Sequence, residues 1–313
     1  MSNHHKSKEV YDKLKKQALE ILETNLGQKR LVEGVQNNNW VLLTCDDKKP
    51  YLVKFISDKE IDRLKVEIGL GEYLKEKTDL PVPEIVDYEL DQEDPYLLRE
   101  IIQGQILEEE MAVSQKPGQL FRQAGRFLAQ LHSIEFEKKG ILTPDISVRP
   151  FDLYNEKEYL HILKILHDNR LVSDHEYNLL KKVDIDYYYD KKPYVLCHSD
   201  YSLKNLIARD CQLVGIIDFE WASSVPFMDD VASFDLFAHF SGYQEYLEYF
   251  YQGYQEIRQI PNYYFENLEF YKFYRLITML SYQVNMEDRG PLEDFYNWMR
   301  DELDKYLEND LNL

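Results

Sequence analysis

Cysteine is scarce in this chain of 313 residues, and the three present form no pattern. Cys45, Cys197 and Cys211 are odd in number and lack metal-ligand spacing, so neither a disulfide framework nor a zinc site is supported, and buried free thiols are expected. No run of about 18 apolar residues occurs, which excludes an ordinary membrane-spanning helix. The start, Met1-Ser-Asn-His-His-Lys6, has no hydrophobic signal core, and a cytoplasmic protein is expected. Positive charge is in deficit: 37 Lys and Arg stand against 57 Asp and Glu, a formal charge of −20. That balance argues against nucleic acid or an anionic membrane surface as partner. Internal repeats and low-complexity segments are also missing.

What remains is a globular composition, 44% hydrophobic and 30% charged, with length enough for two lobes. The acidity is uneven. Residues 1–102 hold 16 basic against 21 acidic side chains, and residues 103–313 hold 21 against 36. An acidic second part would attract a cationic substrate, although acidic surfaces also serve solubility alone.

The pattern changes along the chain. Glu9–Thr24 carries apolar residues at helical spacing, and strand patterns follow at Lys29–Val32, Trp40–Cys45 and Tyr51–Phe55. A helix is expected over Ile61–Lys75, then strands at Ile85–Leu90 and Tyr96–Ile102, with Gly104 as a hinge. Beyond it the chain turns helical: Gly118–Ile134, Phe151–Leu166, Asp174–Val183 capped by Ser173, and a tail from Gly242 to Tyr306 that holds 12 of the 25 tyrosines.

The chemistry concentrates in one stretch. Tyr194-Val-Leu-Cys197 reads as a buried strand leading into His198-Ser-Asp200-Tyr-Ser-Leu-Lys-Asn205. A hairpin pattern follows, Leu206–Ala208 and Leu213–Ile217 around a polar turn, and it ends in Asp218. Asp, Asn and a second Asp, at offsets of 5 and 18 residues, are the groups that phosphoryl transfer requires. One carboxylate takes or orients the acceptor hydroxyl's proton; an amide and a second carboxylate hold magnesium against the phosphates. His-x-Asp-x4-Asn is the catalytic-loop spacing of kinases. Each residue alone is also an ordinary loop or turn residue; the order strand, loop, hairpin, Asp singles them out.

Lys54 sits in the strand Tyr51–Phe55, where a kinase keeps the lysine that grips the α- and β-phosphates. Glu67, 13 residues on in the following helix, is its expected partner; Glu72 falls toward a different helix face. Leu31-Val-Glu-Gly34-Val-Gln-Asn37-Asn-Asn-Trp40 is a candidate phosphate-covering turn, with one glycine where protein kinases have three.

Val195–Ile207 and Gly215-Ile-Ile-Asp-Phe-Glu-Trp-Ala222 together resemble the aminoglycoside phosphotransferase family of small-molecule kinases, which includes choline, homoserine and methylthioribose kinases and macrolide phosphotransferases. Leu131-His132 closing a helix and the segment Leu64–Leu74 extend the likeness. The resemblance implies an α+β, bilobal protein-kinase-like fold, with a sheet-based nucleotide lobe over residues 1–102 and a helical acceptor lobe over 103–313. It implies ATP or GTP as co-substrate with Mg²⁺, Asp200 as catalytic base, and Asn205 and Asp218 on the metal. Lys54, Glu67, Gly34 and Asn37 would serve the phosphates, and Glu100 and Ile102 the base-reading hinge. His198 would orient the loop and Asp229 brace it. Ser199 and Tyr201-Ser-Leu-Lys204 depart from the family's loop, which suggests an unusual substrate-side surface. Asp152, Glu156, Glu245 and Glu287 are candidate contacts for a cationic acceptor. No Ala-Pro-Glu segment follows, and the short Asp218–Asp230 interval leaves little room for a peptide groove, so a small-molecule hydroxyl is the expected acceptor. An amino sugar fits the charge; choline, homoserine, a thio-sugar or a macrolide would use the same core. A nucleotide-binding scaffold would be expected to have lost Lys54, Asp200, Asn205 or Asp218, and all four are present.

Overall fold

A computed structural model describes residues 8–26, 32–36, 39–45, 50–55, 61–91, 93–151, 155–189, 192–284 and 292–308. The smaller lobe begins with helix α1 (Lys8–Leu26), strands β1 (Val32–Gln36), β2 (Asn39–Cys45) and β3 (Pro50–Phe55), helix α2 (Ile61–Lys77), and strands β4 (Ile85–Glu89) and β5 (Tyr96–Glu100). The strands form one antiparallel sheet in the order β1-β2-β3-β5-β4. The strand expected over Lys29–Val32 lies, except for Val32, outside the described residues.

Alternation along β3 and β5 divides this lobe. Val53, Phe55, Tyr96 and Leu98 face α1 and pack with its Leu14, Ala18, Ile21 and Leu22. The intervening residues face α2, where Leu97 packs with Leu64 and Ile68. Lys54 is paired with Leu97 in the register, so it stands on the α2 face. A lysine of that parity is carried inward and reaches the helix rather than water.

The larger lobe continues with β6 (Gln105–Ile106), α3 (Leu107–Val113), α4 (Pro117–Leu131), β7 (Glu135–Phe136), β8 (Gly140–Leu142), β9 (Val148–Pro150), α5 (Glu156–Asp168), α6 (Asp174–Leu180) and α7 (Ile185–Tyr189). Then come β10 (Tyr194–Cys197), β11 (Leu206–Arg209), β12 (Gln212–Ile216), β13 (Ser223–Pro226) and helices α8 (Met228–Phe240), α9 (Leu247–Gln255), α10 (Asn262–Glu266), α11 (Leu268–Gln283) and α12 (Glu293–Glu308). Ser173 caps α6 as expected, in a full capping box with Glu176. The tyrosine-rich tail turns inward: Tyr254, Tyr264, Tyr271 and Tyr274 are buried, with Phe121, Phe234 and Phe250 in the same apolar cluster. Among the described residues no helix is long and apolar enough to cross a membrane.

Two expectations change. Gly104 is a close-packing glycine rather than a free hinge, because a Cβ there would lie 2.5 Å from the Ala208 carbonyl oxygen of β11. Tyr201 does not face substrate. It is fully buried, and its hydroxyl donates to the Ala124 carbonyl of α4 at 2.8 Å. Ser202 and Leu203 are buried with it, and Lys204 alone of that tetrapeptide is exposed.

Candidate active site

Strand β10 is buried along its whole length and delivers His198 at the start of a sharply bent loop. Ser199 lies at φ +63°, a left-handed angle that a non-glycine residue adopts only at a cost. Its surroundings hold it there. The Ser199 N–H donates to Asp230 Oδ1 at 2.8 Å, its carbonyl accepts from Arg275 Nη2 at 2.6 Å, and its hydroxyl lies 2.7 Å from that of Ser223. A glycine at this position would meet the same angle with less strain.

The carboxylate directly beneath the loop is Asp230. It accepts from the His198 amide at 2.7 Å and from Ser199, and lies 3.2 Å from His132 Nε2, while His132 Nδ1 lies 2.9 Å from the Tyr254 hydroxyl. Burial alone would raise the Asp230 carboxyl, but the His132 hydrogen bond and the loop amides outweigh it and hold it below its usual range. Burial lowers His132, which is therefore neutral at pH 7, and Asp230 relies on N–H donors rather than on an imidazolium charge. Asp229, expected as the brace, has its Oδ1 3.5 Å from Arg275 Nη1, and Arg275 in turn donates to the Ser199 carbonyl. Adjacent helical residues point about 100° apart, so both cannot face one loop. His198 Nε2 lies 2.9 Å from the Ile217 carbonyl, which ties the loop to the strand end before Asp218.

Asn205 is drawn back against Asp200. Its Nδ2 donates to the Asp200 carbonyl and to Asp200 Oδ2, both at 2.8 Å. Burial raises the Asp200 carboxyl, against the opposing pull of Arg275 and Asn205. Both Asn205 bonds use nitrogen, which leaves Oδ1 for a cation. Asp218 lies at φ +71° just beyond β12; burial and the negative charge of Glu67 raise its carboxyl in spite of Lys54 and Arg99. The Asp200 and Asp218 carboxylates and the Asn205 amide oxygen are hard oxygen donors, the type that Mg²⁺ takes.

Lys54 completes the site from the smaller lobe. Its ammonium is 3.5 Å from Glu67 Oε2 and 3.4 Å from Glu220 Oε2, and the other Glu67 oxygen is 3.4 Å from Arg99 Nη1. Burial would lower the Lys54 ammonium, but Glu67, Glu220 and Asp218 outweigh it and raise it. Glu72 is exposed, so Glu67 is the partner. Gly34 lies within β1, opposite Val41; Asn37 is outside the described residues. At the lobe junction the Glu100 amide donates to the Glu84 carbonyl and that of Ile101 to Pro50. The side chain of Ile102 lies over Gly215 of β12. Of the candidate cation contacts, Glu156 and Glu245 are exposed, while Asp152 and Glu287 are outside the described residues. Sequence reasoning missed Arg99, Asp230 as the brace, and Arg275. Only Arg99 had a local signal: it is two residues from Leu97, hence on the face of Lys54.

A bilobal fold with a lysine–glutamate pair above a His-x-Asp-x4-Asn loop defines a kinase-like phosphotransferase. The model of the phosphotransferase enzyme family matches residues 27–265, and the chain belongs to that family. Among solved structures, the chain resembles APH(2″)-IIa in its ternary complex with streptomycin and ATP, with TM-score 0.63, 20% identity and 97% of each chain covered. It also resembles APH(2″)-IIIa in complex with GDP and kanamycin: TM-score 0.70, 17% identity, 96% of this chain and 100% of that one covered. A third likeness is to the ADP-bound aminoglycoside phosphotransferase APH(2″)-Ib, with TM-score 0.62, 22% identity and 95% and 96% covered. At such identities the likeness establishes the fold. No curated protein matches the chain significantly.

Proposed function

We propose that this enzyme transfers the γ-phosphate of ATP or GTP to a hydroxyl of a small cationic molecule, an aminoglycoside or related amino sugar, in the cytoplasm. The observation that carries the proposal is the Asp200–Asn205 pair in a phosphotransferase fold whose Lys54–Glu67 pair also meets Glu220, two residues past Asp218. In this reading residues 1–102 form the nucleotide lobe and 103–313 the acceptor lobe. Asp200 orients the acceptor hydroxyl and takes its proton. Its raised carboxyl makes it a better base than an exposed aspartate. Lys54 meets the phosphates, aimed by Glu67. Asn205 and Asp218 hold the metal, which would supply charge neutralisation at the phosphate oxygens when bound. Most of the rate enhancement then comes from positioning and electrostatics.

The excess of acid in residues 103–313 and the aminoglycosides seen with structural neighbours support a cationic acceptor. Labelled γ-phosphate from ATP and from GTP, offered with aminoglycosides, choline, homoserine, thio-sugars and a macrolide, tests this. Transfer to an aminoglycoside is expected. Transfer only to an uncharged acceptor would overturn the cationic assignment, and nucleotide binding with no transfer to any compound would favour a scaffold.

A further inference from the structure

Lys54 has two anionic partners, and they are unequal. Glu67 is 6% exposed and held from its other oxygen by Arg99. The Glu220 side chain is 27% exposed, and Lys54 is its hydrogen-bond partner. Both contacts, 3.5 and 3.4 Å, exceed the roughly 2.7–2.9 Å of a well-made ammonium–carboxylate bond, so the ammonium is shared rather than captured. Glu220 also does not act alone. The next residue, Trp221, has its ring covered by the guanidinium of Arg63 from α2 at 3.6 Å. Two consecutive side chains of the larger lobe thus reach β3 and α2 of the smaller one. Glu67, Asp218 and Glu220 bring oxygens within 4.8 Å of one another. Among the described residues Lys54 and Arg99 are the cations paired with them, so three carboxylates meet two positive charges. A metal-free polyphosphate entering this corner meets net repulsion unless one carboxylate withdraws.

We propose that Glu220 is a positioning residue that holds Lys54 toward the interlobe cleft in the nucleotide-free enzyme and yields it to the phosphates when nucleotide binds. The proposal rests on the reading of Lys54 as the phosphate-binding lysine. Glu67 stays, because Arg99 and burial fix it; Glu220 leaves, because nothing comparable does. Nucleotide binding is then an exchange of one anionic partner of Lys54 for another, and the affinity reflects the difference between them.

The test is calorimetric titration of ADP without divalent metal, which isolates the lysine from the metal ligands, into wild type, Glu220→Gln, Lys54→Met and the double variant. Glu220→Gln is expected to tighten ADP about three- to tenfold, the scale of coupling between contacting residues. In the Lys54→Met background the same substitution should change affinity less than about twofold. Trp221→Leu, which removes the Arg63 contact and loosens the same turn without changing the net charge, should tighten ADP in the same direction. Where Glu220→Gln does not fold, Glu220→Ala takes its place with the same expectation. Unchanged or weaker ADP binding by the Glu220 variant would overturn the proposal. So would equal tightening with and without Lys54, since that is a general field effect. If wild type binds neither ADP nor Mg·ADP, the kinase reading fails with it; if wild type binds and only the Glu220 effect is missing, the kinase reading stands.

Discussion

Asp230→Asn is the sharpest probe of how the loop carrying Asp200 is held. The substitution preserves shape and removes charge from a fully buried carboxylate that receives three N–H donors, at 2.7, 2.8 and 3.2 Å. The asparagine keeps one acceptor oxygen and turns an NH2 toward donors that need one. A buried donor left unsatisfied costs about 1–3 kcal/mol, and breaking a buried charged network costs about 3–5 kcal/mol. The loss expected at pH 7 is therefore about 3–4 kcal/mol, read by urea unfolding. The same change releases Ser199 from its left-handed angle, a conformation that costs about 1–3 kcal/mol when unsupported. Once released, the loop shifts Asp200 off line, and a displacement near 1 Å costs about 100-fold in kcat. The sign of the pH dependence follows from the depressed Asp230 carboxyl. Its contribution is present above the unfolded-state value of 3.8 and is lost as pH falls through the lower folded value, so the gap between variant and wild type should narrow in acid. Asp229→Asn, one step removed through Arg275, should cost less. An Asp230→Asn protein within 1 kcal/mol of wild type, with unchanged kcat, would refute the reasoning.

Asp200→Asn should abolish phosphoryl transfer yet leave Mg·nucleotide affinity within about threefold by calorimetry; near-normal turnover on an identified acceptor would exclude Asp200 as the base. Gly253→Ala would place a Cβ 1.9 Å from the Arg122 carbonyl oxygen at the α4–α9 contact, and overpacking there should cost about 3 kcal/mol or more by urea unfolding. An unaltered midpoint would mean that the two helices separate freely. His132 titrates below its ordinary 6.5 because burial penalises the cation, so its share of stability is complete above that value and lost as pH falls beneath it. His132→Gln should accordingly flatten the fall in Tm between about pH 7 and pH 5, and an unchanged slope would contradict a neutral His132.

The parts of the site that lie close together in the chain could be read from it. The loop from His198 to Asn205 and the strand end at Asp218 are joined by a short hairpin, so their spacing is set by backbone length and survives any change of surroundings. Lys54 and Glu67 were legible for a similar reason: strand parity and one helix face decide both. What stayed hidden depends on elements that meet only through tertiary packing. Nothing local tells Asp230 from Asp229, because α8 is buried continuously from Met228 to Leu236 and has no exposed polar face there to give orientation. Arg275 meets Ser199 across 76 positions of sequence. Tyr201 reads as a surface residue beside a catalytic aspartate; it sinks inward because α4 offers the Ala124 carbonyl to its hydroxyl.

The placement of α2 bears on how such an enzyme could be controlled. One face of the helix packs on the sheet through Leu64 and Ile68. Another sends Val66, Leu70 and Leu74 into the core cluster of the larger lobe. At Gly69 the helix backbone is so close to the 143–147 turn that a Cβ would lie 1.9 Å from the Pro144 carbonyl oxygen. Burying a large aliphatic side chain is worth about 1.5–3 kcal/mol, so these three residues commit several kcal/mol to the larger lobe. That exceeds the roughly 1–3 kcal/mol that a typical effector can supply. Glu67 is therefore a fixed point, and the pair it forms with Lys54 cannot be broken by rotating α2 outward. Adjustment on substrate binding falls to what is held less tightly: the sheet that carries Lys54, and the turn at Glu220 and Trp221 beneath it.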